Sequence, residues 1–504
     1  MNPLLSPEAI DAFGGRALTF STLDHQQENQ TGVISYMPDN EDENTIALVT
    51  PETIVPFDGQ TLVIPTIDHL HQPQISMYES PSARLSLHLN PVVCADLDQL
   101  YFDRVHMFAP MLLRSRYLRW SKQPDKGRQR QCLQHAMWTL AVSQSSQFQL
   151  IRLDLYAETQ RLLKDVEGAS LGRHYVEEVQ ARILVSLYEL MSTDCDHQQG
   201  IVSARKAFHL IQLMRLNVID DSVGSGLAER QSDWIDIESM RRTFWVAYTI
   251  DRTISAFEDS ALTFFEHQIL TRLPQADAAL SSGRSTTMCY LTDILTEQNS
   301  ERLSESMSSP FTASIVMATI CGRALEHKHQ SQVVVHYQDS ELPLSTLEFF
   351  RRHQSLRLGF ARHVKMLSAQ ITSMLDHLEP MLAFAAITAQ TAVLMHCEII
   401  ETMTFKPGGL GLEVADALLM DHKQRRLEAV HQLSILAARL RQTNHFQTHM
   451  LIPIPLVLSA QICLKHFGLD DVFSDYIFDI AAVLEGLGEV NGLASSCLRR
   501  LCFE

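Results

Sequence analysis

The sequence predicts an all-α fold, an irregular multi-helix domain that follows an acidic N-terminal arm. From Pro91 onwards, apolar residues recur at intervals of three and four positions over long segments, as they do on amphipathic helices. Glycine and proline lie mostly between those segments. The 504-residue chain is 45% hydrophobic and 20% charged, which is typical of proteins that bury a sizeable core. We therefore expect most of the chain to fold as helices.

The first element, residues 1–90, is an acidic arm without helical periodicity. It holds twelve acidic and two basic residues, which gives a net charge of −10. Two β-branched runs flank the turn signal Asp58-Gly59, so the arm suits a local hairpin. An extended, partly disordered arm suits the same composition. We expect one of these two structures, and we expect no catalytic domain in this arm.

The helical body is predicted in two halves, residues 91–280 and residues 311–504. The stretch between them, residues 281–310, contains eight serines and interrupts the periodicity, so we interpret it as a surface connection. Periodicity predicts helices at residues 95–109, 131–164, 174–193, 200–216, 236–257, 311–328, 345–377, 380–404, 414–442, 450–466 and 472–487.

Cysteine spacing and net charge argue against two classes of protein. The nine cysteines are scattered, and no two are close enough to form the paired ligands of a zinc cluster, so we expect no metal and no cofactor. The net charge of −18 repels a phosphate backbone, so we do not expect direct DNA contact from this chain.

The N-terminus and the apolar runs bear on location in the cell. The first 20 residues lack a basic start followed by an apolar run, so we expect no secretory signal and reduced thiols in the cytosol or nucleus. The longest apolar runs begin at residues 381 and 450 and fall short of the ~20 residues that span a bilayer. We interpret both as buried core helices.

The segment ESMRRTFWVAYTIDR, Glu238 to Arg252, combines an apolar stripe with charges. Glu238 precedes Arg241 and Arg242 by three and four positions, so on a helix it can pair with either for ~0.2–0.5 kcal/mol. Asp251 falls on the apolar stripe and needs an arginine, a histidine or N–H groups as partners. Because no nucleophile or metal set is adjacent, the segment predicts a core helix with a polar lock and no catalytic residue.

The run RRTFWVAYTIDR, followed by ILTRLPQ, resembles the middle homology region of fungal-specific transcription factors. Residues 96–118, 188–218 and 449–467 resemble other helices of that family, so the resemblance covers roughly residues 91–490. It implies an all-α regulatory domain from nuclear proteins that often control one metabolic pathway or biosynthetic gene cluster. The residues that match the family's structural motif are Glu238, Arg241, Arg242, Phe244, Trp245, Tyr248, Asp251 and Arg252.

The chain departs from the family at its N-terminus. Family members generally carry a Zn2Cys6 module that contacts DNA, but no cysteine precedes Cys94 here. We therefore expect a transcription regulator of a fungal biosynthetic or secondary-metabolite gene cluster that acts without its own zinc module. It would act through protein partners such as a DNA-binding family member, with the acidic arm as a recruiting segment, and a small-molecule effector is compatible with this reading.

Two alternatives stay open. The chain could be a shortened version of a Zn2Cys6 DNA-binding factor whose first exon is missing. It could instead be a helical small-molecule-binding protein or an enzyme with an unrecognised pocket. The sequence contains no HExxH, no GxSxG and no glycine-rich phosphate loop, so we do not expect an enzyme.

A basic patch, RSRYLRWSKQPDKGRQR at residues 114–130, holds seven cations and one acid. It could contact phosphates or serve as a nuclear import signal. We favour a solvated loop that balances acidic neighbours, because the patch lacks the length and the charge field that DNA binding needs. The seven cations are Arg114, Arg116, Arg119, Lys122, Lys126, Arg128 and Arg130.

Two weaker patterns could be read as metal sites. The pairs His69/His71 and His327/His329 could each supply half of a metal site, but without a third ligand in view we expect exposed or helix-capping histidines. The run DSVGSGLAE at residues 221–229 is reminiscent of a magnesium motif of helical terpene synthases. Its two glycines cost a helix ~1 kcal/mol each, and its partner motif is missing, so we do not expect that activity.

Overall fold

Helices make up most of the computed structural model of the protein. The structure describes residues 89–504, apart from 170–171, 194, 222–232, 284, 337–342, 373–378, 403–411, 467–470 and 504. No strand occurs in these ranges, so the all-α prediction is confirmed for them. The acidic arm, the pair His69/His71 and nearly all of the 221–229 run lie outside the described residues.

The helices of the first half end with the longest one, α7. They are α1 (Pro91–Arg104), α2 (Arg114–Trp120), α3 (Arg128–Ser143), α4 (Arg152–Ala169), α5 (Val176–Met191), α6 (His197–Leu213) and α7 (Trp234–Glu258). Single 3-10 turns occur at Gln149–Ile151, Leu216–Val218, Glu266–Gln268 and His445–Gln447.

Three short helices separate α7 from the long helices of the second half. The short ones are α8 (Asp277–Ser281), α9 (Leu291–Thr296) and α10 (Ser300–Ser306). The second half contains α11 (Pro310–His336), α12 (Pro343–Thr372), α13 (Pro380–Thr402), α14 (Leu412–Leu440), α15 (Pro453–Leu464), α16 (Asp471–Gly488) and α17 (Gly492–Phe503).

The helix predicted at residues 131–164 is wrong as a single element, because two helices occupy that span. Helix α3 ends at Ser143, and α4 begins at Arg152. In between, the Ser145 hydroxyl accepts a hydrogen bond from the backbone N–H of Gln147 at 3.2 Å. Such side-chain bonds offer the backbone an alternative to the helical ladder, and the polar run SQSSQ supplies them.

The serine-rich stretch at residues 281–310 is more than a surface connection, because α9 and α10 lie within it. Its apolar side chains enter the main core: Leu291, Ile294, Leu295, Leu303 and Met307 are all buried. At the start of helix α9 the carboxylate of Asp293 accepts from the backbone N–H of Tyr290 at 2.8 Å. Burial of the spaced apolar side chains therefore determines the structure of this stretch, despite its eight serines.

Helix α7 joins the two halves of the body. It packs against α5 and α6 of the first half and against α11 and α15 of the second. The Asp233 side chain caps its start by accepting from the backbone N–H of Ile235 at 3.2 Å, and its C-cap Asp259 is left-handed, with φ 49°. Residues 242–257 are buried without exception. A helix buried on all faces is a central one.

Helix α13 contains a segment that could cross a membrane by length and composition alone. That segment is Pro380–Glu401, 22 residues long, which exceeds the length indicated by the apolar run from residue 381. Within its most apolar window, 94% of the residues are buried inside the structure. It packs against α11, α12, α14 and α15. This is the burial expected of a core helix.

Candidate functional site

The motif predicted on residues 238–252 lies along α7, and its charged side chains bind other segments. Arg242, 2% exposed, holds the most partners. Its Nε donates to Glu238 Oε1 at 3.2 Å, and its Nη1 donates to the carbonyl of Pro110 at 3.1 Å. Its Nη2 donates to the Gln275 carbonyl and to Asp277 Oδ1, both at 2.7 Å. One guanidinium thus holds three distant parts of the chain together.

Glu238, one helical turn before Arg242, belongs to the same buried set of paired charges. We call such a set a clasp. It is fully buried, and its Oε1 also accepts from the backbone N–H of Gln275 at 2.9 Å. Burial raises the pKa of Glu238, while the charges of Arg242 and Arg241 and the Gln275 hydrogen bond oppose that rise. Without those partners a carboxylate in this position would cost several kcal/mol. Glu238 and Arg242 therefore depend on each other.

Arg241 turns the other way and binds the segment after α6. Its Nε donates to Asp220 Oδ2 at 2.9 Å, and the same oxygen accepts from the backbone N–H of Arg272 at 2.8 Å. Arg272 in turn donates to the carbonyl of Met288 at 2.7 Å and lies over the ring of Tyr290. These bonds fix the path of the chain that returns along α7.

Asp251 and Arg252 form a second clasp near the end of α7, where each is 1% exposed. Arg252 Nη1 donates to Asp251 Oδ2 at 2.8 Å. The carboxylate also accepts from the backbone N–H groups of Thr263, at 3.1 Å, and Phe264, at 3.3 Å. Arg252 Nη2 donates to the carbonyl of Phe264, and the guanidinium lies 3.5 Å from the ring centre of Tyr248. The buried charges are thus paired.

The motif's aromatic side chains pack and donate inside the core. Trp245 Nε1 donates to the carbonyl of Arg272 at 2.7 Å. The Tyr248 hydroxyl lies 3.0 Å from Thr319 Oγ1 on α11, and the Phe244 ring meets that of Trp245 edge-on at 4.9 Å. Burial raises the pKa of Tyr248 to about 12, so the phenol stays protonated and neutral. These side chains position α7.

Two cavities lie beside the motif in the part of the chain that the structure describes, and each is too small for a substrate. The cavity that touches Arg252 has a volume of about 10 Å³, and a second one lined by Val246 and Ile250 measures about 20 Å³. A single water needs roughly 10–15 Å³ on such a measure. Neither of these two cavities admits a metabolite, and the motif residues named above make ion pairs, hydrogen bonds and ring contacts with neighbouring parts of the chain.

The basic patch contains both engaged and exposed cations. Arg116 pairs with Asp233 at 3.3 Å and Asp236 at 2.8 Å, at the start of α7. Arg114 donates to Gln99, Lys126 to Gln134 and to the Ser121 carbonyl, and Arg130 to Glu177. The patch's exposed cations are Arg114, Arg119, Lys122, Arg128 and Arg130. Among the described residues, acidic side chains therefore pair with two of the seven cations, Arg116 and Arg130.

The two aromatic residues of the patch face the core. Tyr117 is 1% exposed and Trp120 is 8% exposed, and their rings meet edge-on. The Tyr117 hydroxyl donates to Asp98 and accepts from Gln134 Nε2 at 2.8 Å. Stacking on nucleic-acid bases needs exposed ring faces, which these residues do not offer.

A cavity of about 210 Å³ lies between α12, α13 and α14. Its lining is mostly aliphatic, with three polar side chains, and comprises Val364, Leu367, Ser368, Ile371, Ala386, Ala389, Gln390, Gln432, Ile435 and Leu436. Drug-sized ligands occupy roughly 300–1,000 Å³, so this cavity suits only a small molecule.

A cluster of buried histidines was missed by the sequence analysis. His353, His396 and His422 come from α12, α13 and α14, and one ring nitrogen of each lies within 4.8 Å of the others. His327 joins the cluster from α11, while His329, two residues on, pairs with the partly exposed Asp259 at 3.0 Å. The expectation of an exposed or capping residue is thus wrong for His327. No spacing signal marks the cluster, because its members are far apart in sequence.

Comparison with known proteins shows which family model matches this sequence and which known proteins it resembles. The fungal specific transcription factor domain matches residues 99–351, which include the whole of α7. The pigment biosynthesis transcriptional activator pigB of Monascus ruber is 36% identical over 80% of this chain and 71% of its own length. The citrinin biosynthesis transcriptional activator ctnR of Monascus purpureus is 33% identical over 82% of this chain and 69% of its own.

A third relative comes from a different genus. The transcription factor tazR of Aspergillus terreus is 35% identical over 83% of this chain and 64% of its own length. No solved structure matches the chain. The similarity extends well beyond the motif helix in all three relatives.

Proposed function

The chain belongs to the fungal specific transcription factor domain family, and from that membership we propose that it regulates transcription of a fungal biosynthetic gene cluster for a secondary metabolite. The observation that carries this proposal is the similarity over 409 residues to an activator named for pigment biosynthesis. A second relative is named for citrinin biosynthesis. The motif residues support the proposal indirectly, because they build the helical body instead of a catalytic site.

In this proposal the chain acts through protein partners, and a partner of the same family makes the contact with DNA. Two features support it. No cysteine precedes Cys94, so these residues supply no Zn2Cys6 module. The net charge of −18 opposes a DNA backbone. Of the seven cations in the basic patch, four are exposed and without an acidic partner among the described residues: Arg114, Arg119, Lys122 and Arg128.

The acidic residues 1–90 recruit the transcription machinery in this scheme. Their net charge of −10 suits a segment that binds basic surfaces of other proteins. The proposed site of action is the nucleus, which the relatives' names as transcriptional activators and a transcription factor support. No catalytic step is part of the proposal.

Transcript measurement tests the regulatory role. Deleting the gene in its source organism should lower the transcripts of one biosynthetic gene cluster at least tenfold, and reintroducing the gene should restore them. A matched strain that carries the chain without residues 1–90 should fail to restore them. Unchanged transcripts in every cluster after deletion would contradict the regulatory role, and full rescue by the shortened chain would contradict the role of the arm.

A separate experiment tests the need for a partner. The purified chain alone should not retard promoter DNA of the affected cluster at 150 mM salt, whereas chromatin precipitation of the tagged chain should recover that promoter from cells. Retardation by the purified chain would contradict partner-dependent binding and would favour direct contact.

The cavity of about 210 Å³ favours a second role as a receptor for a small effector. Its aliphatic lining with Ser368, Gln390 and Gln432 suits a compact, mostly apolar metabolite with one or two polar groups. Metabolites of the regulated pathway should raise the melting temperature of the purified chain, because a ligand that binds only the native state stabilises it. Substituting Ala389→Phe, which fills the cavity, should abolish that rise, and a rise that survives the substitution would place the ligand elsewhere.

A further inference from the structure

We propose that His353, His396 and His422 form a binding site for one late first-row transition-metal ion, of which Zn²⁺ is the biological candidate. The three side chains project from consecutive helices α12, α13 and α14 and are 2%, 0% and 0% exposed. One ring nitrogen of each lies within 4.8 Å of the other two. All three lie beyond residues 99–351, so the site goes beyond the family match and beyond the regulatory role.

The closest pair of nitrogens has the spacing of two neighbouring ligands. His353 Nε2 lies 3.1 Å from His422 Nε2. Zinc binds imidazole nitrogen at 2.0–2.1 Å with tetrahedral geometry, which places neighbouring ligand atoms about 3.3 Å apart. An ion between these two nitrogens therefore needs only a small adjustment of the pair.

Hydrogen bonds indicate which nitrogen carries the lone pair in two of the three rings. His396 Nε2 lies 3.1 Å from the backbone carbonyl of His353, which fixes its proton on Nε2 and leaves a lone pair on Nδ1. His353 Nδ1 lies 3.1 Å from His327 Nε2, so a proton on Nδ1 can be donated to His327 while Nε2 faces the ion.

Several imidazole nitrogens of the cluster have no hydrogen-bond partner among the described residues. Each neutral imidazole has one N–H and one lone pair. Whichever tautomers connect His327, His353 and His422, the Nδ1 atoms of His327, His396 and His422 are buried without a hydrogen-bond partner among the described residues. Buried polar atoms without partners destabilise the folded state, and a metal ion would satisfy the Nδ1 lone pair of His396.

The surroundings keep the imidazoles neutral, which is the form that binds metal. Burial, the largest influence, lowers the pKa of His422 to about 4 and holds the pKa values of His353 and His396 well below their usual range. The charged groups that face the cluster are Arg352, Arg357, Arg425 and Asp421. Phe349 and Phe360 pack against the rings and exclude water.

One movement is needed for the third ligand to reach the ion. The His396 ring stacks on that of His353, with centres 3.8 Å apart and planes at 16°. Because lone pairs lie in the ring plane, the His396 ring must turn about its Cβ–Cγ bond to point at an ion held by the other two. This turn also re-aims the Nε2–H that now faces the His353 carbonyl, so the bond to the metal replaces or shifts that hydrogen bond. Imidazole ligands select zinc, copper or nickel over magnesium and calcium, so the site should ignore the latter ions.

Metal content and thermal stability of the full chain test this proposal. The purified protein, stripped with EDTA, is incubated with ZnCl₂ or MgCl₂ and passed through a desalting column. We expect one zinc and no magnesium per chain by mass spectrometry, and a melting temperature raised by at least about 2 °C with zinc alone. A wild-type chain that retains no zinc would overturn the proposal.

Variants separate the cluster from the other histidines, of which the chain has 22 in all. His396→Gln and His422→Gln should each weaken zinc binding at least tenfold, whereas the control His449→Gln should retain it. His449 is also buried but lies outside the cluster. Retention of zinc by both cluster variants at the control's level would overturn the proposal, because the ion would then sit elsewhere.

X-ray absorption of the zinc-bound wild type covers the case in which a variant fails to fold. Three imidazole nitrogens at about 2.0–2.1 Å would support the site. A shell of oxygen or sulfur ligands would overturn it.

Discussion

Gly322 on α11 lies directly against the side chain of Arg252 on α7. A Cβ atom at position 322 would come within 2.9 Å of Arg252 Cγ and within 3.3 Å of Leu262 Cδ1. Arg252 is held by Asp251 and by the carbonyl of Phe264, so it has little freedom to retreat. The closest approach between α7 and α11 at this clasp therefore requires a residue without a side chain.

Gly322→Ala should destabilise the chain by about 1–2 kcal/mol. Overpacking a tight contact costs about 1–3 kcal/mol, which outweighs the ~1 kcal/mol that alanine gains over glycine in a helix. Gly359→Ala on α12 is the control, since a Cβ there meets nothing within 4 Å, and it should be neutral or stabilising. Urea unfolding monitored by circular dichroism measures both, and equal effects of the two substitutions would refute the close contact.

Arg242→Ala should lower the free energy of unfolding by about 3–5 kcal/mol, because it leaves the carboxylate of Glu238 buried without its guanidinium partner. The control is Arg116→Ala, which removes a partly exposed ion pair with Asp236 and should cost no more than about 1 kcal/mol. Removing both buried charges, with Glu238→Gln and Arg242→Met, should recover part of the loss. Denaturant midpoints of the four proteins give the comparison, and equal costs for the two single arginine variants would argue against the clasp.

Asp251→Asn should cost about 2–4 kcal/mol, although the side chain keeps its shape. The neutral amide no longer pairs with Arg252, and its N–H groups face the donors that the carboxylate accepts from. The exposed Asp125→Asn should change stability by less than about 0.5 kcal/mol. Thermal unfolding measures both variants. An unchanged melting temperature for Asp251→Asn would show that the ion pair with Arg252 is not needed to hold Thr263 and Phe264 against α7.

His449 should make the metal-free chain sensitive to acid. It is stacked on Phe384 at 4.1 Å, and burial lowers its pKa to about 3. An unfolded histidine has a pKa of about 6.5, so as pH falls from there towards 3 the unfolded state takes up a proton that the folded state does not. Stability from this group is therefore complete above pH 6.5 and falls by about 1.4 kcal/mol per pH unit below it.

The measurement compares the wild type with His449→Gln in EDTA. Unfolding free energies at pH 7.5, 6.0 and 5.0 should fall less steeply for the variant, because the remaining histidines contribute equally to both proteins. Parallel slopes would mean that His449 is protonated in the folded state.

The helices were largely predictable because their apolar spacing reports burial directly. The predicted span 236–257 lies within α7, Trp234–Glu258, and the predicted span 380–404 nearly coincides with α13, Pro380–Thr402. The failures came where local side chains competed with the helix, as Ser145 does, or where a few leucines outweighed many serines, as in residues 281–310. Periodicity averages over a window and cannot see either effect.

The partners of the motif's charges could not be predicted in the same way. The sequence showed that Asp251 needed donors, but the backbone N–H groups of Thr263 and Phe264 carry no sequence signature. The histidine cluster posed the same difficulty, since His353 and His422 are 69 positions apart and meet only because α12 and α14 pack near α13. The spacing of apolar residues along the sequence reports on one helix at a time, whereas these contacts join distant segments of the chain.

The burial of α7 bears on how genomes are searched for regulators of this kind. Every side chain from Arg242 to Phe257 is enclosed by the protein, so none of them is presented at the surface to a promoter or a coactivator. A query built on RRTFW followed by DR will recover chains that share this architecture, and it will not sort them by target gene. Profiles that classify such regulators by pathway should be trained on surface positions and on the second half of the body.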